Sequence, residues 1–89
     1  MPYIPQAQRD LLDPSIRSLV KALKENQLLG PGHLNYVVTT LLVGMDYPSK
    51  GYKGLSEVMG ILESVKLEWY RRVGAPYEDD KCTEAGDVF

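Results

Sequence analysis

Apolar residues recur at steps of three and four in three segments of the chain. That is the period of an amphipathic helix, whereas a half-buried strand needs a period of two. In the longest segment, Leu55–Val73, residues Leu55, Val58, Met59, Leu62, Val65, Trp69 and Val73 share one face. Ser56, Glu57, Ser64, Glu68 and Arg71 fall roughly opposite. Gly54 or Ser56 suits the start of this helix. Gly74 followed by Pro76 predicts its end, because glycine closes helices and the residue before proline is pushed out of the α region. Glu68 and Arg72 are an i,i+4 pair in the favourable order.

Upstream, Asp13-Pro14 predicts a helix start, with a capping carboxylate and then proline at the first helical position. Ile16, Leu19, Val20 and Leu23 give this helix an apolar face, Arg17, Ser18, Lys21, Lys24 and Glu25 a solvated one, and it should run to about Gln27. Before it, Gln6–Leu12 reads as one short helical turn. The opening MPYIP holds Tyr3 and Ile4 between prolines and reads as an extended strap. After it, LLGPG is a breaker. A second helix begins at Gly30 or Pro31, with Leu34, Val37, Val38, Leu41, Leu42 and Met45 inward. The β-branched Val37–Val43 makes strand a rival there, but alternation is poor and the helical spacing fits better.

Asp46–Gly54, DYPSKGYKG, is turn chemistry throughout and should be the most mobile loop. Ala75–Glu84 predicts a last short helix, with Tyr77 and Cys82 packing back. The closing Val88-Phe89 is costly to leave in water and should dock on its own domain or on a partner chain. The fold class expected is all-α: one domain, residues 1–89, a small bundle of three main helices with short terminal helices or extended straps.

Composition narrows the choices. A chain of 89 residues buries only about 60–65% of its unfolded surface, so its helices must pack well or its chains must associate. Homo-oligomerisation through the second or third helix is therefore expected. A hydrophobic fraction of 44% with 25% charged residues suits a packed core. The net charge of −2 leaves no basic footprint for duplex nucleic acid. The single cysteine, Cys82, rules out an intrachain disulfide and fits a reducing compartment. No apolar run approaches the roughly 20 residues of a membrane span and no signal peptide is visible, so a cytoplasmic protein is expected.

Candidate chemistry is sparse. Lys66 projects about 20° from Leu55, inside the apolar stripe. It should snorkel out or find a partner, with Glu63 the first candidate and Tyr70 close by. It is a structural ion pair or an anion-binding group. Its neighbours Arg71 and Arg72, with Asn35, Tyr36 and Tyr70, make a set able to stack on bases and contact phosphate, and equally a set that oligomer interfaces favour. Lys66, Glu63, Tyr70, Asn35, Tyr36, Arg71 and Arg72 are thus the candidate ligand-binding residues.

No catalytic residue, metal ligand set or cofactor is indicated. His33 is the only histidine, and it sits where a helix start needs a cap. Glu57, Glu63 and Glu68 lack the one-turn spacing of a helical Mg²⁺ site; Asp80 and Glu84 have that spacing but fall in the terminal helix. Ser49, Ser56, Ser64 and Cys82 lack any activating partner in sequence. The glycines of GPGHLN make a turn, although their amides could meet an anion.

The pieces MPYIP, the LD of DLLDP, HLNYVVT, LSEVMGILESVKLEWYRRV, APYEDDK and GDVF carry a resemblance that runs nearly end to end. The chain resembles a small family of phage and prokaryotic proteins of unknown function. Ser64 and Gly74 stand where such proteins commonly have Cys and Val, and neither departure suggests a lost site. The resemblance implies a compact helical domain and no mechanism. By analogy, the function expected is a non-enzymatic binding protein that sequesters a nucleotide-like ligand or a host protein, as anti-defence proteins do. The alternatives are a structural interaction module without ligand and a metal-dependent nucleotide pyrophosphohydrolase.

Overall fold

A computed structural model describes residues 2–46 and 51–89. The protein is all-α, and no strand occurs among the described residues. The helices are α1 (Gln6–Glu25), α2 (Pro31–Gly44), α3 (Gly51–Trp69) and α4 (Ala75–Ala85), the last two joined by a π-helical turn at Tyr70–Gly74. The chain divides into two units, Tyr3–Tyr47 and Pro48–Phe89 with Met1–Pro2. Part of the predicted loop, residues 47–50, lies outside the described residues.

In the first unit, α1 is longer than its sequence signals suggest. It starts at Gln6, with Pro5 as N-cap, and carries Pro14 in its interior. Pro14 cannot donate to the Asp10 carbonyl, and an interior proline costs about 3 kcal/mol. Local bonds hold the turn before it. The Gln8 and Arg9 amides donate to the Pro5 carbonyl, the Gln6 side-chain amide donates to Asp10 Oδ1 at 2.8 Å, and Arg9 Nε donates to the Ile4 carbonyl at 2.8 Å. Asp13 is therefore not a cap; its carboxylate lies 4.0 Å from Arg17 Nη1, one turn on.

The helix closes in a Schellman arrangement. Gln27 sits at φ 56, where glycine is the usual residue. Its amide donates to the Lys24 carbonyl, and the Leu28 amide reaches back to the Leu23 carbonyl at 2.8 Å. At the start of α2 the Gly30 amide donates to His33 Nδ1 at 3.0 Å, so His33 does cap the helix. The Val37–Val43 stretch is helical despite its β-branched residues.

In the second unit, helix begins at Gly51, within the stretch expected to be a turn. Gly74 and Pro76 do not end it. Gly74 and Ala75 keep helical angles, and the Ala75 amide donates to the Tyr70 carbonyl five residues back. The wider turn absorbs the proline: Pro76 falls in the first turn of α4, where its missing N–H is tolerated. A Cβ at Gly74 would come 2.6 Å from the Tyr70 ring, so a larger residue there requires that ring to shift.

No apolar side chain is buried among the described residues, and within neither unit does a core form. The apolar faces are nonetheless organised, because each follows the helical period. The closing Val88 and Phe89 are exposed within their own unit, so of the two docking places expected from the sequence, the chain's own unit is not used.

Candidate functional site

The candidate residues divide between the units. Asn35 and Tyr36 lie on α2, where Asn35 Oδ1 accepts from Thr39 Oγ1 at 3.4 Å and the Tyr36 ring is exposed. Glu63, Lys66, Tyr70, Arg71 and Arg72 lie on α3 and the π turn.

Lys66 has the predicted carboxylate beside it. Its Nζ is 3.5 Å from Glu63 Oε1, with the lysine side chain 73% exposed. Its ammonium is thus largely hydrated within its unit, and such a pair is worth at most a few tenths of a kcal/mol. The predicted Glu68–Arg72 pair is present at 3.4 Å, and Arg71 joins it at 2.9 Å on the same oxygen, Glu68 Oε1. Two guanidinium groups therefore converge on one half-buried carboxylate, which leaves them less available to a phosphate.

The π turn also shapes a concavity that the sequence did not reveal. Inserting one extra residue per turn brings Tyr70 into line with Glu78 and Cys82. With Lys81, Asp87 and Phe89 these residues line a space of about 500 Å³. Asp87 Oδ1 accepts from the Phe89 amide at 2.8 Å. That bond, with one from the Cys82 thiol, holds the Asp87 carboxyl below its ordinary value. In turn the Asp87 carboxylate pushes the Cys82 thiol above its ordinary value, helped by partial desolvation and the Asp79 charge. A thiol kept protonated is a poor nucleophile. Lys81 lies 3.3 Å from Glu84 Oε2 and 5.5 Å from the centre of the Tyr77 ring. The acidic rim of Glu78, Asp79 and Asp87 makes this space unfavourable for an anion. The signal for it was the GDVF ending, but its meaning depended on a turn that no local residue pattern announces.

Among the described residues, no group of three or more His, Cys, Asp or Glu side chains is placed to hold a metal ion. No helix there is long and apolar enough to cross a membrane. A family match covers residues 1–88. The chain belongs to the DUF6899 family, a domain of unknown function. No curated protein and no solved structure matches it. The family match agrees with the end-to-end resemblance noted from the sequence and adds no activity to it.

Proposed function

We propose that this DUF6899 protein is a non-enzymatic binding protein that works by presenting apolar helix faces to a protein partner. The observation that carries this is the absence of any buried apolar side chain among the described residues. Helices of ordinary length gain their stability from packing an amphipathic face, so faces left open within each unit call for a covering surface. Of the two ligands expected from the sequence, a protein and a nucleotide, these faces favour the protein. Arg71 and Arg72 share the Glu68 carboxylate, and the space beside Tyr70 is acidic.

Sedimentation combined with titration of an apolar fluorescent dye tests this. The expected result is either a mass above 10 kDa or a single-chain species that binds the dye. A single-chain species that does not bind the dye would mean that the chain covers its own faces, and would overturn the proposal. A thermal-shift screen with nucleotides and cyclic dinucleotides, with and without Mg²⁺, checks the two rivals: a nucleotide-specific rise in Tm would favour ligand sequestration, and Mg²⁺-dependent turnover would favour the hydrolase.

A further inference from the structure

Gly30 and His33 are joined twice at the start of α2. The His33 amide donates to the Gly30 carbonyl at 3.1 Å, and the Gly30 amide donates back to His33 Nδ1 at 3.0 Å. The ring lies so close to Gly30 that a Cβ there would come 3.3 Å from Nδ1. The second bond sets a chemical condition. An imidazole nitrogen accepts a hydrogen bond only through its lone pair, so Nδ1 must be bare and the ring proton must sit on Nε2. A protonated imidazole carries a proton on both nitrogens and has no acceptor left.

No other side chain at this helix end takes over the bond. Gly30 has no side chain with which to cap, Pro31 has no N–H, and the first turn holds no acidic residue. A proton on His33 therefore removes the one side-chain cap at the start of α2 and places a positive charge at the positive end of the helix dipole. Both changes act in the same direction. Helix α2 itself carries no Asp, Glu, Lys or Arg. Among the described residues no helix packs closely against it, and no ion pair involves His33. Glu25, the nearest carboxylate along the chain, lies 3.8 Å from Lys21.

We propose that His33 is a proton-operated clasp at the start of α2. Neutral, it holds the Gly30 amide; protonated, it lets go, and the link from Leu28 to Gly30 loosens from the helix. The Gly30 carbonyl keeps its bonds from the His33 and Leu34 amides, so release frays the entry to α2 and leaves the helix standing. Protonation breaks a bond that only the folded chain has. The stability it contributes is thus present above the range of roughly pH 5–8 in which histidine changes charge, and is lost as the pH falls through that range. This device does not depend on the binding function proposed above.

Nitrogen-15 spectroscopy of the imidazole in the full chain tests the clasp without any variant. In the neutral ring the proton should sit on Nε2, and the Gly30 amide signal should move as the ring titrates. A neutral ring with its proton on Nδ1 overturns the proposal, as does a Gly30 amide indifferent to the titration.

The second measurement is Tm at fixed protein concentration between about pH 7.5 and pH 5.5, the window of histidine. His33 is the only histidine. Carboxylates titrate below this window, and the Asp87 carboxylate pushes the Cys82 thiol upward, away from it. The wild-type protein should lose about 2–6 °C on acidification, the equivalent of one unfavourable charge at a helix end. His33→Gln keeps a side chain that reaches the Gly30 amide and does not titrate. It should melt near wild type at the upper pH and lose less than half as much on acidification. A wild-type Tm that does not fall, or equal losses in the two proteins, overturns the proposal.

Discussion

Helices α1 and α2 belong to the same unit and are built for different surroundings. On α1, Ile16, Leu19, Val20 and Leu23 face one way, while Arg17, Lys21, Lys24 and Glu25 keep the rest of the helix in water. Two ion pairs, Asp13–Arg17 at 4.0 Å and Lys21–Glu25 at 3.8 Å, lie on that charged side. On α2 there is no Asp, Glu, Lys or Arg, and the side opposite Leu34 and Leu41 carries Tyr36, Thr39, Thr40 and Val43. The hydrophobic period favoured helix in both, with strand a rival only over Val37–Val43 of α2. The placement of charge, rather than the period, is where the two helices differ.

The largest effect expected from this contrast is on α2. Leu41→Asp should lower the thermal or urea midpoint more than any other change, because the carboxylate would enter the apolar helix face that the proposed partner covers. Ser18→Asp on α1 should stay within about 0.5 kcal/mol. Equal tolerance of both would erase the distinction. Next in size is Pro14→Ala, which restores the missing rung of α1 and should stabilise the protein by up to about 3 kcal/mol. A higher urea midpoint at unchanged slope is the signature. Gln27→Gly should then add about 1 kcal/mol by relieving the positive φ at the end of α1. Smallest is Lys66→Met, expected to move Tm by less than the equivalent of about 0.5 kcal/mol, because the Glu63 pair it breaks is exposed. A large loss would place Lys66 in a site that the helix alone does not display.

The helical class was legible because the three- and four-residue spacing is a property of each segment by itself. Helix ends were less so. Asp13-Pro14 and Gly74-Ala75-Pro76 are strong local boundary signals, yet each is overridden by helix on both sides. At Pro14 the bonds from Gln6, Gln8 and Arg9 secure the preceding turn. At Pro76 the π turn shifts the ladder by one residue. The pairs at Glu63–Lys66 and Glu68–Arg72 were legible because they lie within one helix; the addition of Arg71 depends on side-chain reach that sequence spacing leaves open. The meeting of Tyr70 with Cys82 and Asp87 was not legible at all, since it follows from the π turn and from the positive φ of Gly86, which turns the tail.

Coupling between folding and association is the central claim, and the dependence of Tm on protein concentration tests it most directly. If the open helix faces are completed by another chain, the folded state gains free energy by mass action and Tm must rise as the concentration increases. The protein therefore should melt several degrees higher at about 100 µM than at about 1 µM. A Tm that stays constant across that range, with a single cooperative transition, would show that one chain folds by itself, and would contradict the account.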